Sequence, residues 1–250
     1  MTGIITLLTD FGTTDGYVGE MKGVLCSGAP EATLVDITHE VAAQDVDGAR
    51  LVVARYWRRF PVGTVHLVVV DPGVGGARAA IAVESEGRFL VGPDNGVLSP
   101  ALLHGGARCV ELPVPAGASA TFHGRDLFAP AAAALVRGTS LDSLGQPRRS
   151  PVVLRTPEPT RREDGTIAGV VITVDRFGNA VTNLLSWRSG TVGVHGHRLP
   201  LVRTYGDVAP GHAAALVGSS GLVEIAVRNG SAAATLGLKR GDAVVLQPSH

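Results

Sequence analysis

Residues 64–78 read Thr64-Val65-His66-Leu67-Val68-Val69-Val70-Asp71-Pro72-Gly73-Val74-Gly75-Gly76-Ala77-Arg78. A β-branched run cut off at an aspartate by a glycine-rich loop predicts a strand over 64–70 that ends in Asp71. The same pattern opens the chain: Ile4–Thr9 is apolar, ends in Asp10 and suits a strand buried on both faces. Between the two runs the period becomes helical. Val18, Met21, Val24 and Leu25 recur within Asp15–Ser27, and Gly28 fits a stop. A strand at Thr33–Ile37 and a helix from a cap at Asp45 or Asp47 to about Arg59 complete the interval. Downstream, Ala79–Val83 and Phe89–Val91 read as strands and Asp126–Arg137 as a helix. Strand and helix in alternation predict an α/β N-terminal domain with a mostly parallel sheet over residues 1–150. Ligands of such sheets bind beyond the carboxyl ends of the strands, where Asp10 and Asp71 both fall.

Residues 148–165 change character. Prolines and charges crowd together, and 151–165 is expected to be a linker. Beyond it the pattern is β alone. Ile167–Val174, Thr191–Val194, Leu199–Val202, Ala213–Val217, Leu222–Val227 and Ala243–Leu246 are short strands between Gly-containing turns. They predict a smaller all-β C-terminal barrel or sandwich over 166–250.

Composition narrows the function. The 250 residues carry 22 basic and 22 acidic side chains, with 45% apolar and 18% charged residues. That balance excludes a disordered chain and gives no basic excess for a nucleic-acid partner. No long apolar run predicts a membrane span, and the N-terminus lacks the pattern of a signal peptide, so a cytoplasmic location is expected. Cys26 and Cys109 are too few for a disulfide framework and are expected as reduced, buried thiols. Residues 1–150 hold 12 basic and 15 acidic groups, and 151–250 hold 10 and 7. This asymmetry is either chance or an aid to docking between the halves, within or between chains.

Each chemical motif has a bland reading beside a functional one. Asp10, at a strand end, could accept both hydroxyls of a ribose, whereas Asp15 is accounted for as a helix cap. Asp71 and Arg78 could pair inside a pocket that glycines open to close approach, or Asp71 could only close a turn. Gly92-Pro93-Asp94-Asn95-Gly96 reads as a turn. His123, just ahead of an Ala-rich helix, is a candidate proton acceptor or a structural residue. Asp175 and Asn179, in Asp175-Arg176-Phe177-Gly178-Asn179, could hold a ligand or make an Asx turn. Tyr205 could stack on a base or cover the core. His195, His197 and His212 invite a metal reading, but no recognisable ligand set completes them.

Taken together and in this order, Thr-Asp-Phe-Gly-Thr-Thr-Asp at 9–15, Val-Asp-Pro-Gly-Val-Gly at 70–75, Gly-Pro-Asp-Asn-Gly at 92–96, Phe-His-Gly-Arg-Asp at 122–126 and Asp-Arg-Phe-Gly-Asn at 175–179 resemble one family. It is that of the S-adenosyl-L-methionine (SAM) hydroxide adenosyltransferases, relatives of the SAM-dependent chlorinases and fluorinases. The resemblance implies hydrolysis of SAM to adenosine and L-methionine. It implies that Asp71, Arg78 and His123 activate water and that Asp10 binds the ribose. It further implies that Asp175 and Asn179 hold the methionine part, that Tyr205 lies near adenine, and that Ser219 and Arg228 contact the amino acid and the base. It implies no cofactor beyond SAM, itself the substrate, and a homotrimer with its site between one subunit's first domain and its neighbour's second. Fluorinases lose the Asp-Pro-Gly-Val-Gly string, carry an insertion in the first domain and have Trp where this chain has Val181. The intact string and the presence of Arg78 and His123 favour the water-using branch over a halide-using one, and over a SAM or adenosine sensor without turnover.

Overall fold

The computed structural model describes residues 3–185 and 189–249. The chain divides into two compact units, the first ending at Leu154 and the second beginning at Arg155.

Among the described residues the first unit builds β1 (Ile4–Thr9), α1 (Tyr17–Gly28), β2 (Thr33–Thr38), α2 (Val46–Tyr56), β3 (Val65–Val69), β4 (Ala80–Ser85), β5 (Arg88–Pro93), α3 (Ser99–Leu102), β6 (Arg108–Glu111), α4 (Ala129–Val136) and β7 (Gln146–Pro147). The strands form one sheet in the order β2-β1-β3-β5-β4-β6-β7. The expected mostly parallel sheet is corrected to a mixed one. β2, β1, β3 and β5 run parallel, while β5–β4, β4–β6 and β6–β7 pair antiparallel. The cause is local. Glu86 (φ 49°) and Gly87 (φ 69°) close a two-residue hairpin in which Ser85 pairs with Arg88. Such a turn makes its two strands antiparallel neighbours.

Side-chain alternation on the central strands feeds two cores. Ile5, Leu7, Val65, Leu67 and Val69 pack with Met21 and Leu25 of α1 and with Ala132 and Leu135 of α4. Leu8, Val68 and Val70 point the other way and pack with Ala49 and Val53 of α2 and with Trp57. Burying such a side chain contributes about 2 kcal/mol, so the strand ends are anchored from both faces. Asp45 caps α2 by accepting from the Gly48 amide at 3.0 Å. The helix expected over 126–137 is preceded by a wide π turn at Gly124–Phe128, which begins one residue after His123.

The second unit carries β8 (Thr160–Arg161), β9 (Ile167–Val174), β10 (Ala180–Leu185), β11 (Gly190–Val194), β12 (His197–Val202), β13 (Ala213–Val217), β14 (Leu222–Val227), α5 (Ala232–Leu236) and β15 (Ala243–Pro248). The order β10-β14-β13-β12-β11-β15-β9 closes on itself through a β9–β10 pairing, giving a seven-stranded barrel in which the short β8 pairs with the start of β9, at Ile167 and Ala168. Val171, Leu184, Val192, Val223, Ile225 and Leu246 fill its interior. Thus β8 lies within the stretch read as a linker. β10, absent from the sequence reading, is a full staple of the barrel. Its pattern is masked because buried Thr182 and Asn183 replace ladder bonds at a register shift: Thr182 Oγ1 donates to Val223 O at 2.7 Å, and Asn183 Oδ1 accepts from Val170 N at 2.7 Å. The thiols also depart from expectation: Cys26 is exposed and Cys109 half-buried, with burial pushing the latter up to about 12. No helix of the described residues is long and apolar enough to cross a membrane.

Candidate active site

β1 and β3 are parallel neighbours, Thr9 standing opposite Val69, so Asp10 and Asp71 leave the sheet at the same edge. β4 runs against β5, which is parallel to β3, and its N-terminal end therefore returns to that edge. Arg78, two residues ahead of β4, meets Asp71 there. Its Nε lies 2.9 and 3.1 Å from the two carboxylate oxygens, and its Nη2 also donates to Oδ2. The Arg78 and Asp71 side chains are only 10% and 5% exposed, so the pair is held out of water, where charge-assisted bonds are strong. Arg78 Nη2 further donates to His123 Nδ1 at 2.8 Å, and the guanidinium lies over the Phe128 ring at 5.3 Å. Burial, together with the Arg78 charge, holds the His123 pKa below its ordinary 6.5, while Asp71 and Asp126 pull the other way. The loop carrying this set needs Gly75. Its φ is +72°, and a Cβ there would lie 2.2 Å from the Ala120 carbonyl, just ahead of His123. The three residues that sequence reading grouped are thus one hydrogen-bonded chain.

Asp10 is held by a separate network. Its Oδ2 accepts from the Gln44 amide at 2.7 Å, and Gln44 adopts φ 65° to reach it. The neighbouring Thr9 hydroxyl bonds His39 Nδ1 at 2.9 Å, and the His39 carbonyl accepts from Gly12 N at 2.8 Å. Gln44 was missed by sequence reading because only its backbone acts.

In the second unit, Asp175 and Asn179 meet each other. Asp175 Oδ1 accepts from the amides of Phe177 and Asn179, both at 2.9 Å, and Oδ2 accepts from Asn179 Nδ2 at 3.1 Å. This is the Asx turn that closes β9 onto β10. Tyr205 donates to Glu224 Oε2 at 3.4 Å. Burial and the nearby Glu224 and Asp175 charges raise its pKa. Arg228 Nη1 ties down the turn bearing Tyr205, donating to the carbonyls of Gly206 (3.2 Å) and Val208 (2.7 Å). Ser219 is exposed in the β13–β14 turn. Glu224, buried on β14, was overlooked, although a carboxylate inside Leu222-Val223-Glu224-Ile225 breaks the strand's apolar run. Among the described residues no cluster of His, Cys, Asp or Glu could hold a metal ion, and His195 instead lies 3.1 Å from Asp242.

Comparison with known proteins adds to this geometry. Residues 5–145 match the model of the SAM hydroxide adenosyltransferase N-terminal domain, and residues 169–245 match that of its C-terminal domain. A curated relative from Thermus thermophilus, named (R)-S-adenosyl-L-methionine hydrolase, is 42% identical over 95% of this chain and 96% of its own length. A protein of the same name from Salinispora tropica is 42% identical over 95% of both. A fluorinase from Actinopolyspora mzabensis is more distant, at 30% over 96% of both chains. The solved structure of a conserved hypothetical protein from Thermus thermophilus superposes with a TM-score of 0.84 at 40% identity, covering 99% of this chain and 100% of that one.

Proposed function

The chain belongs to the SAM hydroxide adenosyltransferase family, and on that footing we propose that it hydrolyses SAM to adenosine and L-methionine by displacement at the ribose 5′ carbon. The observation that carries the reading is the Asp71–Arg78–His123 chain, a buried donor–acceptor set suited to holding one water molecule.

The chemistry asks for little. The leaving group is a sulfonium that departs as a neutral thioether, so no acid is required to protonate it. What remains is to align the nucleophile with the C–S bond and to receive its proton. Arginine only donates hydrogen bonds, so His123 Nδ1, facing Arg78, accepts. The neutral ring then carries its proton on Nε2 and offers a donor to the nucleophile. His123 is accordingly an orienting group rather than the base. The Asp71 carboxylate keeps lone pairs beyond its bonds to Arg78 and accepts the hydrogen bond of the attacking water. As the C5′–O bond forms and the C5′–S bond breaks with its electron pair staying on sulfur, the attacking oxygen becomes strongly acidic. Its proton passes to Asp71 and on to solvent. Positive charge on sulfur vanishes in this step, so a dry site favours it. A chloride nucleophile would have no proton to lose and would face the Asp71 charge.

For binding, Asp10 takes the ribose hydroxyls, Asp175 and Asn179 the methionine part, Tyr205 adenine, and Ser219 and Arg228 the amino acid and base. Asp175 and Asn179 satisfy each other only in part, since Asn179 keeps a second amide proton. No cofactor enters the scheme. The homotrimer implied by the family resemblance is part of the proposal, and a native mass of three chains by light scattering is the expected result. Purified protein incubated with SAM in chloride-free buffer is expected to release adenosine and methionine at a rate that added chloride does not change. A chlorinated nucleoside rising with chloride, or tight SAM binding without products, would overturn the reading.

A further inference from the structure

The turn Gly92-Pro93-Asp94-Asn95-Gly96 has no part in the chemistry above, yet its place in the sheet is particular. β5 lies between β3 and β4, so the turn that leaves it sits between the strand end bearing Asp71 and the strand start bearing Arg78. Two hydrogen bonds use that position. Asn95 Nδ2 donates to the carbonyl of Val70, the residue before Asp71, at 2.9 Å. The Asp94 amide donates to the carbonyl of Ala79, the residue after Arg78, at 2.9 Å. The turn is itself held fast. Asn95 Oδ1 accepts from Val97 N at 3.1 Å, and the buried Asp94 carboxylate accepts from Arg148 Nη2 at 2.9 Å and from the Val152 amide at 2.7 Å. Gly92 brings β5 close to β3, since a Cβ there would lie 2.3 Å from Val68 O.

We propose that Asn95 is a positioning residue of the reaction, acting through Val70 to fix where Asp71 stands against Arg78. The Val70 carbonyl shares a rigid plane with the Asp71 amide, so anchoring that oxygen fixes the orientation from which the Asp71 side chain departs. The inference rests on the assignment of Asp71 and Arg78 to water activation. Asn95 touches no group assigned to ribose, base or amino acid, so its loss acts on alignment and not on affinity. A displacement of about 1 Å in a reacting group costs on the order of 10²-fold in rate.

The test is the steady-state kinetics of Asn95→Ala and Asn95→Asp on SAM, alone and in an Arg78→Lys background, with Asp71→Asn alongside. Asn95→Asp keeps the acceptor for Val97 and the side-chain volume, which guards against simple misfolding. Both variants are expected to lose about 10- to 100-fold in kcat with KM within about threefold. Groups that act as one unit are non-additive, so Asn95→Ala is expected to cost little more once Arg78 is Lys. Wild-type kcat in both variants while Asp71→Asn is inactive would overturn the role of Asn95 and leave the site intact. Losses that multiply in the Arg78→Lys background, or that fall on KM alone, would also overturn it. Full activity of Asp71→Asn would instead overturn the site on which the inference stands.

Discussion

Arg78 stands between a carboxylate and an imidazole, and the direction of its hydrogen bonds settles how protons are arranged around it. His123 must be neutral with Nδ1 accepting, and its lowered pKa keeps it so at neutral pH. kcat is therefore expected to be flat with pH above 6.5 and to fall only below it, as protonation at Nδ1 breaks the bond to Arg78; an inflection above pH 6.5 in the pH–rate profile would contradict this. On the proton-accepting role proposed for Asp71, Asp71→Asn is expected to lower kcat by about 10²- to 10⁴-fold. On the ribose-binding role proposed for Asp10, Asp10→Ala is expected to raise KM more than it lowers kcat. The places of Asp10 and Asp71 at strand ends and of His123 ahead of a helix were legible in the sequence, whereas their roles came from the order of the motifs and the family they resemble, since each local signal alone also fits a cap or a turn. Gln44 and Asn95 were not. Gln44 acts through a backbone amide and Asn95 across to another strand, and no neighbour in sequence announces either bond.

At the scale of elements, the central strands were readable because double-sided burial demands continuous apolar runs, as in β1 and β3. Their partners were less so. β6 is four residues long and β7 two, too short for a periodicity to be seen, and β10 hides behind Thr182 and Asn183. The antiparallel half of the sheet turns on two left-handed residues, of which Glu86 is no usual signal for such a turn. The loop from Asp71 to Arg78 is sensitive to a single change at Gly75. Gly75→Ala would meet both the positive φ and the Ala120 carbonyl, and is expected to destabilise by about 1–3 kcal/mol. A fall in the thermal midpoint with loss of kcat would bear this out, and an unchanged midpoint would contradict it.

For the molecule as a whole, one buried histidine outside the site contributes to acid sensitivity. His66 on β3 is fully buried, bonded through Nδ1 to Thr6 Oγ1 at 2.8 Å, and burial lowers its pKa to about 4. The unfolded chain binds this proton at about 6.5, so between 6.5 and 4 it holds more protons than the folded one. Stability attached to His66 is complete above pH 6.5 and is lost as pH falls towards 4, by about 3 kcal/mol in all. Urea midpoints of the wild type and His66→Leu are expected to diverge in slope over that window, the variant being less sensitive to acid; parallel slopes would contradict it. The central claim concerns water at the ribose 5′ carbon, and the most direct measurement is turnover of SAM in ¹⁸O-water with mass spectrometry of the products. One ¹⁸O atom in the 5′ hydroxyl of adenosine, with unlabelled methionine, is the predicted result. Unlabelled adenosine, or a product in which a halide occupies the 5′ carbon, would contradict it.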